Sequence, residues 1–123
     1  MTEEPRDLAL QALYQADRTG DTGPLADLPA RAQRLVEGVL AERDRLDATI
    51  AGASDHWSIE RMPVIDRAIL RLGLYELRHH TSTPAAVVVN EAVRLAKTYS
   101  TQRSGSFVNG VLAALAESER GEG

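Results

Sequence analysis

The sequence predicts an all-α fold on two observations. Apolar residues recur at helical rather than alternating spacing along nearly the whole chain. Aromatics are scarce, with one Trp, three Tyr and one Phe, so the core must be aliphatic, which suits packed helices. At 123 residues the chain is long enough to bury such a core within a single domain spanning 1–123.

The first helix is read from Leu8, Ala9, Ala12, Leu13 and Ala16, which share one face, with Pro5 placed at its start. Gly and Pro in "DRTGDTGPL", Asp17 to Leu25, break the pattern. Ala32, Leu35, Val36, Val39, Leu40, Leu46 and Ile50 resume it, as one long helix or as two divided near Glu42 to Asp44. "GASDHWS", Gly52 to Ser58, connects to the second half. The segment Pro63 to His80 is apolar around most of its circumference, which marks a central, buried helix. Its exceptions are an arginine stripe of Arg67, Arg71 and Arg78, with Glu76 on the opposite side and Asp66 on a flank. Thr83 and Pro84 read as N-cap and first residue of the next helix, where Val88, Ala92, Leu95 and Tyr99 share a face. "STQRSGS", Ser100 to Ser106, makes a polar turn, with Ser104 or Ser106 as the cap of the final helix. In that helix Asn109-Gly110 would suit a hairpin turn, but the surrounding apolar residues fail to alternate and instead form a helical face. Residues 1–4 and 117–123 read as frayed ends.

Several classes of function are excluded or disfavoured. Without Cys there is no disulfide, thiolate metal site or thiol nucleophile. No apolar run approaches membrane-spanning length and no signal-like stretch follows the start, so a cytoplasmic protein is expected. The net charge of −4 conceals an asymmetry: residues 1–60 carry six basic and twelve acidic side chains, residues 61–111 seven basic and three acidic. An anionic partner should therefore meet the second half. The ionisable residues form no catalytic constellation, no metal motif and no phosphate-binding glycine loop, so no enzyme activity, metal or cofactor is expected. His79 and His80 stand where a helix ends, a position that favours capping over metal ligation. His56 stands alone beside Trp57.

Binding signals are stronger. Tyr14 lies with Asp7, Gln11, Gln15 and Arg18 rather than on the apolar face. It reads equally as a platform for an unpaired base, with Arg18 near the phosphate, or as a ring at the rim of the core. Asn109 with Ala113 and Ala116, and Gly110 beside Ala113 and Ala114, make a low surface that another backbone can approach. The adjoining turn adds exposed donors, Arg103 and a helix N-terminus, suited to capping or to phosphate.

Taken in order, "LALQALYQAD", "LVEGVL", "LDATI", "DRAILRLGLYEL", "VVVNEAVRLAKTYS" and "SGSFVNGVL" resemble the NusB family of bacterial transcription antitermination factors over nearly the whole chain. The stretch from Trp57, "WSIERMPVIDRAILR", adds to the likeness. The resemblance implies two packed helical bundles forming one compact domain and a binding function. It implies a heterodimer with ribosomal protein NusE that holds boxA-type single-stranded RNA within the transcription elongation complex, notably on ribosomal RNA operons. Carried over by position, it places Tyr14 at the RNA and partner junction, and Phe107 and Asn109 beside the RNA. Their neighbours in the preceding turn are Gln102, Arg103, Ser104 and Ser106. Asp66 falls where the family has an acidic residue facing NusE, and Glu76 is a further contact. Free of NusE, the same apolar surface is equally suited to a second copy of the chain.

The start departs from the family pattern. "MTEEPRD" retains only Arg6 where family members carry an arginine cluster, and Glu3 and Glu4 stand in arginine positions. Two or three lost phosphate contacts should flatten the salt dependence of RNA binding by roughly 0.7 in log–log slope each. Two other readings follow: a scaffold of the same fold without specific RNA binding, or the related RNA-binding domain of some RNA cytosine methyltransferases.

Overall fold

The computed structural model describes residues 4–54 and 58–121, so Glu3 and the His56–Trp57 pair lie outside the described residues. Six helices form: α1 (Pro5–Thr19), α2 (Ala30–Ala41), α3 (Arg43–Ala53), α4 (Val64–His79), α5 (Ala85–Tyr99) and α6 (Gln102–Arg120). Short 3-10 turns at Leu25–Asp27 and Ile59–Arg61 lie between α1 and α2 and between α3 and α4. No strand occurs among the described residues.

Helix α4 is the centre of the molecule and touches each of the other five. Helices α1 to α3 pack with α4 as one bundle and α5 with α6 pack with it as the other, and α3 also meets α6. Ile69, Leu70, Leu72, Leu74 and Leu77 are all buried, which is why the sequence of α4 is apolar around most of its circumference. Gly73 permits the close crossing with α6, since a Cβ there would come within 2.8 Å of Leu112 Cδ1.

The arginine stripe of α4 is not a solvent face. Arg71 forms a bidentate pair with Asp47 of α3 at 2.6 and 2.9 Å and reaches Asp17 of α1 at 3.4 Å. Arg67 meets the same Asp17, and Arg78 pairs with Glu119 of α6 and donates to the Thr49 hydroxyl. The stripe therefore joins α4 to three neighbours by charge-assisted bonds. It also consumes three of the basic residues that made the second half look suited to an anion.

Element boundaries differ from the sequence reading at three places. Helix α6 begins at Gln102, and its N-cap is Thr101, whose hydroxyl accepts from the Ser104 N–H at 3.0 Å, rather than Ser104 or Ser106. Pro84, rather than Thr83, is the N-cap of α5. The chain from Glu117 is helical to Arg120 and closes on Gly121 in a left-handed cap, where fraying was expected. Partners explain the last difference. The Arg120 guanidinium donates to the carbonyls of Leu77, Thr83, Glu76 and His80 at 2.6–3.2 Å, so α6 caps the end of α4 and the following turn. Arg120→Ala should lower stability by about 2 kcal/mol, the scale of hydrogen bonds to a charged donor, read as the shift in a urea unfolding midpoint.

Two titrations should shape acid stability. Hydrogen bonds from Arg94 above all, and from Tyr99, hold the Asp7 carboxyl below its usual 3.8, while burial lowers His80 below its usual 6.5. A lowered pKa means that the unfolded chain binds more protons at the intervening pH, so acid favours unfolding for both groups. Stability should decline first as the pH falls below about 6.5 and again below about 3.8, in a urea series across pH. Replacing His80 by Gln should remove the first decline.

Candidate nucleic-acid interface

Two adjoining grooves meet at Pro63, the N-cap of α4. The first, about 460 Å³, is lined by Leu10, Gln11 and Tyr14 of α1, Pro63, Val64 and Ile65, and Tyr99 of α5. The second, about 370 Å³, is lined by Met62, Pro63, Asp66, Ser100, Thr101, Arg103, Ser104 and Phe107. Residues far apart in the sequence thus reach one face because α4 starts there, α5 ends there and α6 starts there.

Each groove is mainly apolar with a few placed polar groups. In the first, the Arg18 guanidinium lies over the Tyr14 ring, 5.5 Å from its centre. Tyr99 is 37 % exposed, and its hydroxyl donates to Asp7 at 2.9 Å. Asp7 also receives Arg94 at 2.8 and 3.2 Å, so the Tyr99 ring is held by a network beneath it. In the second groove a relay of hydroxyls fixes the turn. Ser104 N–H donates to Thr101 Oγ1, the Thr101 hydroxyl donates to Ser104 Oγ, and the Ser104 hydroxyl donates to Asp66 Oδ2 at 2.9 Å. Arg103 is exposed at the rim and forms no ion pair among the described residues.

The structure therefore brings together Tyr14, Arg18, Asp66, Arg103, Ser104 and Phe107 on or beside the two grooves. Gln102, Ser106 and Asn109 form an exposed stripe on the outer side of α6, continuous with Gly110 and Ala113. A Cβ at Gly110 would meet nothing within 4 Å, so no packing among the described residues requires glycine there. The low surface faces outward, and its roughly 1 kcal/mol helix penalty is not recovered by any internal contact.

Two residues lie elsewhere. Arg6, only 9 % exposed, is about 12 Å along α1 from Tyr14. It grips Glu76 through Nε at 2.9 and 3.1 Å and Nη2 at 2.8 Å, with Glu91 at 3.6 Å. Glu76 is 1 % exposed. The sequence expectation that Arg6 meets phosphate and Glu76 meets a partner thus finds both side chains spent on each other inside the α1, α4 and α5 contact. Asp66, also expected at a partner, is 3 % exposed but borders the second groove. Tyr99 is the residue that helical spacing assigned to the core face. Its place at the last turn of α5, after Lys97 and Thr98, was the available signal that its ring leaves the core. His79 pairs with Glu42 at 2.7 Å and lies against the Tyr75 ring at a tilt of 40°, a role in joining helix ends. No group of His, Asp and Glu among the described residues could hold a metal ion, and no helix of these residues is long and apolar enough to cross a membrane.

The family and its solved structures share this architecture. The transcription antitermination protein NusB of Rubrobacter xylanophilus is 47 % identical over 116 residues, covering 87 % of this chain and 84 % of that protein. That of Acidothermus cellulolyticus is 48 % identical over 120 residues, covering 89 % and 83 %. The solved structure of T. maritima NusB superposes with a TM-score of 0.80 at 29 % identity, over 95 % of this chain and 93 % of that one. A chain of the crystal structure of antitermination factors NusB and NusE in complex with dsRNA superposes equally well, at 0.80 and 30 % identity, over 93 % and 94 %. With residues 3–117 matching the description of the NusB family as well, this chain belongs to that family.

Proposed function

We propose that this chain is a transcription antitermination factor that binds boxA-type single-stranded RNA as a heterodimer with ribosomal protein NusE. In this role it promotes processive transcription of ribosomal RNA operons, acts in the cytoplasm and catalyses no reaction. The observation that carries the reading is the convergence of three aromatic rings, an arginine with no ion pair among the described residues and a helix N-terminus on adjoining grooves in a chain of this family. Bases stack on rings such as Tyr14 and Phe107, and phosphate suits Arg103 and the start of α6. Gln102, Ser106 and Asn109 continue the path along α6, and Gly110 leaves the strand room to pass.

The reading is tested by fluorescence anisotropy of a labelled boxA RNA titrated with the chain, alone and with NusE, against a scrambled RNA at two salt concentrations. Sequence-dependent binding that improves with NusE supports it. The absence of any preference for boxA, despite a demonstrable NusE complex, supports a second reading. That reading is a scaffold without specific RNA binding, favoured by Glu4 at the start of α1 and by the engagement of Arg6 with Glu76. With Arg6 so engaged, the RNA affinity of this chain should vary less steeply with salt than that of a relative carrying the arginine cluster.

A further inference from the structure

The first groove is faced by a ring that is held from behind. Helical spacing starts the Tyr99 side chain on the same face as Val88, Ala92 and Leu95, which are nearly fully buried, yet the ring is exposed and lines the groove. Its direction is set by its hydroxyl, which donates to Asp7 Oδ2 at 2.9 Å, 92 residues away in the sequence. That acceptor is fixed in its turn. Arg94 donates to both Asp7 oxygens at 2.8 and 3.2 Å, and Arg94 is itself held by Glu91 of its own helix at 3.2–3.4 Å. Asp7 is 8 % exposed and does not line the groove, so it reaches an occupant through Tyr99 and not by contact. We infer that Asp7 is a positioning residue, oriented by Arg94, that holds the Tyr99 ring in the direction in which it receives an apolar side chain of the protein partner. The inference rests on the heterodimer reading above and deepens it by naming what prepares the partner face.

The lining selects a protein over an RNA backbone. Leu10, Pro63, Val64 and Ile65 join the two tyrosine rings and Gln11 in this groove, and no Lys or Arg lines it among the described residues. A phosphodiester chain needs cations of the kind that Arg103 offers at the second groove. An apolar side chain from a protein needs instead a shaped, water-excluding wall, and an aromatic ring supplies a large part of one. Tyr14 keeps its place at the junction of partner and RNA. What the network adds is the fixing of Tyr99 in advance. An untethered tyrosine at the last residue of a helix samples several rotamers and loses that freedom on binding. A ring pinned at Cβ by the helix and at its hydroxyl by Asp7 has lost it before the partner arrives. Asp7 Oδ2 accepts from Arg94 as well as from Tyr99, so the ion pair that orients the carboxylate and the bond that orients the ring share one atom. The charge on that atom strengthens its bond to the phenol.

The experiment measures NusE affinity by calorimetric titration for the full chain and for Tyr99→Phe, Asp7→Ala and the double variant, with boxA-type RNA titrated in parallel against each chain alone. Tyr99→Phe keeps the ring and removes only its tether, and it should lose about three- to tenfold in NusE affinity. Asp7→Ala should lose a similar factor, and the double variant no more than either, since each removes the same hydrogen bond. RNA affinity of the chain alone should stay unchanged throughout. A spectroscopic readout separates positioning from general stability. With the three tyrosines replaced by fluorotyrosine, the fluorine resonance missing from Tyr99→Phe identifies Tyr99. In Asp7→Ala that signal should move toward the position of a freely turning ring, while the Tyr75 signal stays in place. Tyr99→Phe leaves the pair of Asp7 and Arg94 intact, so it decides the matter even if Asp7→Ala fails to fold. Wild-type NusE affinity in Tyr99→Phe overturns the inference, because Asp7 then acts through the fold alone, and leaves the proposed function standing. Losses that multiply in the double variant overturn it in the same way. A loss of RNA affinity with NusE affinity intact also overturns it and gives the ring to RNA. A wild-type chain that binds no NusE strikes at the proposed function itself and takes the inference with it.

Discussion

Glu76→Ala should lower the unfolding free energy by about 3 kcal/mol. Its carboxylate is almost wholly enclosed, and three hydrogen bonds from Arg6 replace its lost hydration. Removing it leaves a guanidinium, itself largely buried, without its main partner, the situation in which breaking an internal ion pair is most damaging. Glu91, 3.6 Å from Arg6, retains part of the compensation and places the effect at the lower end of the usual range. Urea unfolding of wild type, Glu76→Ala and Glu76→Gln supplies the measurement. The amide should retain part of the stability because it still accepts from Arg6. A Glu76→Ala protein of normal stability that binds NusE poorly would show that the residue acts outward, at the partner, and not inward.

Tyr14→Ala should weaken boxA-type RNA by about 1–3 kcal/mol, the usual contribution of one stacked base, which is tenfold or more in affinity. The half-buried ring lines the first groove beneath the Arg18 guanidinium, so its removal widens that groove rather than opening an enclosed cavity. Stability should change by less than about 1 kcal/mol. Tyr14→Phe should retain most of the affinity, because stacking needs the ring and not the hydroxyl. A large loss of stability in Tyr14→Ala would place the ring at the rim of the core, the other reading open from the sequence. Unchanged RNA affinity in a stable variant would remove Tyr14 from the RNA path.

The fold was legible because burial leaves a periodic trace. The all-round apolarity of Pro63 to His80 marked α4 as central, and the pause at Glu42 to Asp44 marked the division of α2 from α3. What spacing could not convey was pairing across the chain. Arg67, Arg71 and Arg78 formed a visible stripe, but their partners Asp17, Asp47 and Glu119 lie 41 to 54 and 24 residues away, and nothing local announces them. The same limit applies to Arg6 and Glu76, separated by 70 residues. Each had the look of a surface charge until the fold brought them together. Arg120 was read as tail for a similar reason: its four carbonyl acceptors belong to another helix and the turn that follows it. The grooves were half legible. Tyr14, Phe107 and Arg103 stood out as types suited to a nucleic acid, whereas Tyr99 was assigned inward. The hydroxyl relay on Asp66 depends on a contact between α4 and α6.

Helix α4 belongs to both bundles at once, and this has a consequence for how the molecule opens. Neither bundle can separate without exposing the shared helix, so the two should unfold as one cooperative unit. The amides of α4 should then exchange with deuterium only through global unfolding, at a rate that follows total stability. The turn from Ser100 to Thr101 and the first residues of α6 lie at the rim of the fold, joined to α4 through the Ser104 hydroxyl on Asp66, and should exchange through local opening. Binding at the grooves would therefore register twice: as new protection confined to that turn, and as a uniform slowing along α4 far from any contact, since a ligand held only by the native state stabilises the whole unit.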